Sequence, residues 1–323
     1  MQTFAWSHVT TIEAGDDRIE FRPLPAPIGA EVRGIDLRKP VSDAAADALR
    51  TAFDLYDVLV FPDQPLSPDD EMRVMHLLHP DIADADNGWG LNLPGYPKIL
   101  LLSNVVAEGE PIGFHNKIGM GWHIDGVGWD PPTYASSLFA VEVPPTGTCT
   151  WFASSTLAYD LLPDALKAQI DNMVASYDFI GSQRWLAANS EGYMDPIPDS
   201  EIPNYPPIPT PVVLTHPRTG RKSLFCINSN VVEVWDGEGR SMPYDDGVAV
   251  LNALHDAVVG NPHNCFAVPW QANQLVLWNN RTTFHSAPEY DAEGSRRVFH
   301  QMTGRGPDIP LPKTLERACT TLP

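Results

Sequence analysis

The chain has 323 residues, 43% of them hydrophobic, which is enough for one large domain or two ordinary ones with a sizeable core. A net charge of −20 argues against non-specific binding to nucleic acid or to anionic membrane surfaces. No run approaches the roughly 18 apolar residues of a membrane-spanning helix, and Met1 to Gly15 lacks a basic stretch followed by an apolar one, so neither a transmembrane segment nor a signal peptide is read and a cytoplasmic location is expected. The four cysteines, Cys149, Cys226, Cys265 and Cys319, are scattered without a Cys-x-x-Cys spacing, which reads as buried thiols in a reducing compartment and not as a disulfide framework. With 32 prolines and no internal repeat, the chain fits many short strands and irregular loops better than a helical bundle.

Ile19 to Arg22 and Gly29 to Val32 read as short strands. Ser42-Asp43 opens a helix that runs to Tyr56, with Ser at the cap and an acid in the first turn. Val58 to Phe61 is a four-residue apolar run suited to a buried strand. Ser67-Pro68-Asp69-Asp70 starts a second helix, which should end near Leu78. His79 to Gly121 is mostly loop, interrupted by a strand at Lys98 to Ser103. Strands follow at Ser136 to Val143 and Gly147 to Phe152, then helix from Ser155 to Val174, split by Pro163. Seven prolines between Pro196 and Pro211 predict an extended, non-helical stretch. Val212 to Thr215 and Ser223 to Ile227 flank the turn-type Pro217-Arg-Thr-Gly220 and read as a hairpin. A helix at Asp245 to Val259 and strands at Cys265 to Val268, Gln274 to Trp278 and Arg297 to Thr303 complete the order. The class is therefore mainly β with inserted helices, and no composition shift marks a second domain.

His-x-Asp occurs twice, at His79-Pro-Asp81 and His123-Ile-Asp125. On a strand, residues two apart share a face, so each pair offers an imidazole and a carboxylate converging on one point. Proline in the middle makes the first copy a poor strand-borne chelate. One more imidazole would complete the two-His-one-carboxylate face that holds non-haem Fe(II) and leaves positions open. Ten histidines offer several candidates, and His285 stands out by context. It follows Asn273-Gln274-Leu-Val-Leu-Trp278 and the polar corner Asn279-Asn280-Arg281, and it precedes Arg296-Arg297 at the start of another strand. Arg is suited to bidentate capture of a carboxylate. By alternation Arg297, Phe299 and Gln301 share one face, and Arg296, Val298 and His300 the other.

Several blocks in one order resemble the taurine dioxygenase (TauD/TfdA) family of Fe(II)- and 2-oxoglutarate-dependent dioxygenases. They are Gly29 to Leu37, Val58 to Phe61, Trp122-His-x-Asp125, Pro144 to Thr150, Leu277 to Arg281 with His285, and Arg296-Arg297, spanning about Pro27 to Gly306. The resemblance implies metal ligands at His123, Asp125 and His285. It implies 2-oxoglutarate contacts at Thr150 and Arg297, and a double-stranded β-helix (jelly-roll) core. It also implies Fe(II), 2-oxoglutarate and O2 as the reactants, with succinate and CO2 released as a small-molecule metabolite is oxidised, most simply by hydroxylation. Asp125 favours oxygenation, because halogenating variants of such a site carry a small residue there.

Two departures touch no proposed ligand: Gly147-Thr-Cys-Thr150 replaces the usual Gly-Gly-Asp-Thr, and Asn279 replaces an Asp. A third bears on substrate. The sulfonate-binding Arg of the family lies four residues after the co-substrate Arg, and here that position is Gln301. A small sulfonate is therefore not the expected substrate; a neutral, amino-bearing or apolar metabolite is. His79, Asn104, His115 and Gln301 are the candidate substrate contacts, since they fall on segments expected to rim the site. The expected organisation is a single domain over residues 1–323 with loop insertions at about 79–121 and 182–211 around that rim, the second a candidate lid. Homo-oligomer formation is left open. Desaturation, cyclisation or oxidative decarboxylation is the alternative outcome. A cupin-like Zn or Mn hydrolase or isomerase, or a silent jelly-roll binding module, is the alternative class.

Overall fold

A computed structural model describes residues 8–15, 17–78, 83–84, 91–114, 119–129, 131–144, 148–189, 197–289 and 295–306. Among them a ten-stranded sheet forms the main layer. Its order is Thr10–Ala14, Asp17–Pro23, Ala30–Arg33, Val58–Phe61, Leu275–Asn279, Thr133–Glu142, Val298–Arg305, Tyr96–Ser103 and Asn92–Leu93, with Ala83–Asp84 also pairing Val298–Arg305. Ala30–Arg33 and Val58–Phe61 run parallel, and the helix Asp43–Tyr56 makes the crossover between them. Ser42 caps that helix as its sequence demands, accepting from the Ala45 N–H.

Strand alternation shows why the apolar runs are continuous. Leu59, Phe61, Leu275, Leu277 and Phe139 pack under the helices Asp43–Tyr56 and Pro68–Leu78. Val58, Val60, Val276, Trp278 and Leu138 point to the opposite face and pack with Phe152 and Val268. Both faces of these strands are buried, so no polar alternation appears in them. Phe152 and Val268 belong to a second, four-stranded sheet ordered Met120–His123, Thr283–Ala287, Cys149–Ser154 and Cys265–Pro269. The apolar layer joins the two sheets and carries the site at its end. A three-stranded sheet, the hairpin Val213–Thr215 with Lys222–Leu224, and the helix Tyr244–Val259 bury a further core around Leu251, Leu254 and Phe225.

Most expected elements are present; the differences are local. His285, expected only to follow a polar corner with no element range of its own, lies on the strand Thr283–Ala287. The helix Phe179–Asn189 and the strands Thr10–Ala14 and Val174–Tyr177 were not expected. Within the proline-rich stretch, Asp199–Asn204 forms a 3-10 helix before the strand Ile208–Pro211. A 3-10 turn is short enough to accept Pro203, which a longer α-helix would not. The split at Pro163 holds, giving helices Ser155–Leu161 and Asp164–Ile170. Cys149, Cys226 and Cys265 are free thiols, of which only Cys226 is fully buried. Cys319 lies outside the described residues. No helix among the described residues is long and apolar enough to cross a membrane.

Candidate metal centre and adjoining cavities

Strand Met120–His123 ends on His123, and the chain turns at once. Gly126 holds φ +64°, a backbone conformation that side chains disfavour, and a Cβ there would also press on the Thr133 side chain. This turn, and not the strand alternation expected from the sequence, brings Asp125 beside His123. His123 and His285 are direct register partners on adjacent antiparallel strands. Their rings consequently lie side by side, with centroids 4.1 Å apart. Asp125 Oδ1 is 3.6 Å from His123 Nε2 and 3.5 Å from His285 Nε2.

These three residues form one cluster whose ligand atoms all lie within 4.8 Å of one another. Ligand bonds of about 2.0–2.2 Å put cis donors roughly 3 Å apart, so a small inward shift of each side chain would close the set on one ion. His123 Nδ1–H donates to Gly121 O at 2.7 Å, which leaves Nε2 with its lone pair toward Asp125. Burial opposes charge on His285, and the neighbouring His123 adds to this, so its pKa is lowered and it is neutral. Burial also pushes the Asp125 carboxyl up, but the two imidazoles outweigh it and hold the group well below the usual carboxylate range. Burial opposes protonation of His123 too, yet its contacts with Asp125 and Gly121 raise its pKa. A cation binds neutral imidazoles and an ionised carboxylate, and it would displace any proton shared between Nε2 and Asp125. The donor set fits a divalent first-row metal.

A cavity of about 140 Å³ opens from the cluster. Its polar lining beyond the three residues is Thr150, Arg297 and Gln301; Leu102, Phe114, Leu138 and Trp278 supply apolar walls. Trp270 Nε1–H donates to Thr150 Oγ1 at 3.0 Å, so the hydroxyl proton of Thr150 remains for another acceptor. The Arg297 guanidinium lies over the Phe299 ring, 4.4 Å from its centroid. Arg296 points the other way, to Glu142 at 2.9 Å, and His300 meets Glu71 at 2.7 Å, as the alternation predicts.

A larger cavity of about 390 Å³ also borders His123 and Asp125. Trp122, Trp129, Tyr177, Phe179 and Trp185 supply aromatic walls, and Gln183, Ser229, Asn230, Gln301 and Thr303 the neutral polar groups. No lysine or arginine lines it among the described residues. Trp129 packs edge-on to Phe179, which in turn packs on Tyr205.

The structure therefore brings together His123, Asp125, His285, Thr150, Arg297 and Gln301. It does not bring Asn104 to the cavities. The Asn104 amide is engaged with backbone, accepting from Arg297 N at 2.7 Å and donating to Ser295 O at 2.8 Å. His79 and His115 lie outside the described residues. Trp185 falls in the 182–211 stretch expected at the rim, whereas Trp270 and Phe179 carry no sequence expectation. Trp270 reaches Thr150 across 120 residues, and nothing in its local spacing signals that contact.

Comparisons with known proteins show what the chain as a whole is similar to. The 2,4-dichlorophenoxyacetate dioxygenase of Cupriavidus pinatubonensis, described as alpha-ketoglutarate-dependent, is 29% identical over 87% of this chain and 96% of its own length. The pentalenolactone F synthase of Streptomyces avermitilis is 26% identical over 85% of this chain and 90% of its own. Among solved structures, AAD-2 in complex with Mn(II) and N-oxalylglycine superposes with a TM-score of 0.74 at 27% identity, covering 91% of this chain and 99% of that one. The family model "Taurine catabolism dioxygenase TauD, TfdA family" matches residues 20–303, and the chain belongs to that family.

Proposed function

We infer that His123, Asp125 and His285 hold Fe(II), and that Thr150 and Arg297 hold 2-oxoglutarate in the smaller cavity. The protein is a 2-oxoglutarate-dependent dioxygenase that oxidises a small molecule, with Fe(II) and O2 as the other requirements. The observation that carries the residue assignment is the shared cavity: a buried His-Asp-His cluster and a guanidinium line the same 140 Å³ space. A zinc hydrolase has no use for that second group.

Bound iron supplies the O2-activating chemistry, coupled to conversion of 2-oxoglutarate to succinate and CO2. The chain's own residues do the rest. Arg297 pairs with the distal carboxylate of 2-oxoglutarate, and the Thr150 hydroxyl donates beside it. The Phe299 ring beneath the guanidinium keeps the Arg297 fork at one orientation. His123 and Asp125 line both cavities, so a substrate in the larger one would lie beside the same ligands that border the 2-oxoglutarate cavity. The aromatic walls exclude water there and orient the substrate.

The main and four-stranded sheets are read as the two layers of a double-stranded β-helix, since His123 and His285 lie on one and Arg297 immediately precedes an interior strand of the other. The chain is read as a single domain over 1–323, with insertions at about 79–121 and 182–211 supplying rim residues such as Met120, Trp185 and Leu186. The three free thiols accord with a cytoplasmic setting. Gln301 faces both cavities where a sulfonate-binding Arg would stand, so a small sulfonate is rejected for want of a cation. An apolar or aromatic body with neutral or amino polar groups suits the walls. A synthase among the relatives favours, as a second outcome, a product other than an alcohol.

The test is a succinate-release screen over amino acids, their derivatives and aromatic metabolites with Fe(II), ascorbate and 2-oxoglutarate. The expected result is substrate-stimulated succinate that disappears in Arg297→Ala at low 2-oxoglutarate. Succinate release in His285→Ala equal to that of the unmodified protein would refute the assignment.

A further inference from the structure

Asp125 has two carboxylate oxygens, and the structure treats them differently. Oδ1 faces the Nε2 atoms of both imidazoles, at 3.6 and 3.5 Å. Oδ2 accepts from Ser136 Oγ at 2.6 Å. Behind Ser136 stands Asn280, with no exposed surface, whose Nδ2 donates to the same Oγ at 2.6 Å. The other end of that amide, Oδ1, accepts from the Asp125 backbone N–H at 3.3 Å and from Trp278 Nε1–H at 3.1 Å.

The proton positions in this chain follow from chemistry. An indole N–H and a backbone N–H can only donate, so the Asn280 atom facing them is its oxygen. The amide nitrogen must then face Ser136. Ser136 Oγ accepts from it and has one proton left, which goes to Asp125 Oδ2. A buried hydroxyl with a single possible orientation is a rigid donor.

We propose that Asn280, acting through Ser136, is a positioning residue that commits Asp125 Oδ2 away from the metal and so fixes Asp125 as a one-oxygen ligand. The proposal rests on the reading of His123, Asp125 and His285 as the metal ligands. A carboxylate free to rotate would bring both oxygens to the ion and occupy a position that 2-oxoglutarate or O2 needs. Asn280 also reaches the distal imidazole, because the Trp278 ring it anchors packs 4.9 Å from that of His285. One side chain thus restrains ligands that lie 160 residues apart in the chain. Strand pairing makes this possible: Ser136 is the direct register partner of Trp278.

The experiment is Co(II) titration of the metal-free full-length protein, well below its melting midpoint, read by binding and by the visible spectrum of the bound ion. Ser136→Ala removes one atom and the donor to Oδ2. Asn280→Asp keeps the shape but cannot donate to Ser136, and it competes for the Ser136 proton. Each is expected to weaken Co(II) binding about 10- to 100-fold and to change the spectrum, while Ser136→Thr, which keeps the hydroxyl, restores both. A merely structural role would lower the melting midpoint and leave affinity and spectrum as in the unmodified protein; that result overturns the proposal. Failure of the unmodified protein to bind Co(II) would overturn the metal-site reading and this inference together. Normal binding with unchanged variants overturns the inference alone.

Discussion

Replacing Arg221 by Met should destabilise the protein by an amount set by a carboxylate it leaves behind. Asp57 has no exposed surface and sits at the C-terminal cap of the helix Asp43–Tyr56 with φ +63°. Its Oδ1 accepts from Arg221 Nη2 at 2.9 Å and from Thr282 Oγ1 at 2.7 Å, and its carbonyl accepts from Asn279 N at 2.9 Å. It therefore ties the hairpin Val213–Thr215/Lys222–Leu224 to the Asn279–Thr282 corner that leads into the His285 strand. Removing one partner of a buried pair costs about 3–5 kcal/mol. For a chain of this length that corresponds to a fall in Tm of roughly 4–7 °C.

Burial raises the Asp57 pKa even with Arg221 beside it, and loss of Arg221 raises it further. A carboxyl whose folded pKa is raised contributes stability below its unfolded value of about 3.9 and loses it as pH rises through the folded one. The Tm difference between Arg221→Met and the unmodified protein should accordingly be large at pH 8 and shrink on acidification. Asp57→Asn combined with Arg221→Met should recover much of the loss, since no buried charge remains. Scanning calorimetry at several pH values reads all three. A difference that stays constant with pH, or a double variant no better than the single one, would refute the reasoning.

Arg297→Ala should raise KM for 2-oxoglutarate about 10- to 150-fold, the equivalent of about 1.5–3 kcal/mol for charge-assisted hydrogen bonds; steady-state succinate assays check this, and an unchanged KM would move the co-substrate elsewhere. Asn104→Ala should raise the same KM several-fold and leave KM for the organic substrate unchanged, because the amide holds the backbone at Arg297 and lines neither cavity; the opposite split would restore Asn104 as a substrate contact. Burial pushes the Cys226 thiol up to about 12, so thiol-labelling mass spectrometry of the folded protein at pH 8 should modify the part-exposed Cys149 and Cys265 first, with Cys226 modified only on unfolding.

The sequence made the helix starts and the buried strands legible because their signals are local. Ser42 and the Ser67-Pro68-Asp69 run state their caps, and Val58 to Phe61 needs no partner to look buried. The His123-Asp125-His285 cluster was legible by motif order, although the geometric reason is different: Asp125 reaches His123 by the Gly126 turn, not by strand alternation. His285 illustrates the limit. Its strand is five residues, Thr-Phe-His-Ser-Ala, with one large apolar side chain, and only pairing with Met120–His123 and Cys149–Ser154 makes it a strand. Asn280 and Trp270 lie further beyond reach, since each matters through a hydrogen bond to a residue over 100 positions away. The wall of the larger cavity comes from Trp122, Tyr177 and Trp185, on three separate elements whose approach no spacing encodes.

The most direct test of the whole account is the anaerobic visible spectrum of the protein with Fe(II) and 2-oxoglutarate. Chelation of the keto acid by an iron held at His123, Asp125 and His285 predicts a weak charge-transfer band that is lost in Asp125→Ala and needs more 2-oxoglutarate in Arg297→Ala. A band of full intensity in Asp125→Ala, or none in the unmodified protein at saturating Fe(II) and 2-oxoglutarate, would contradict it.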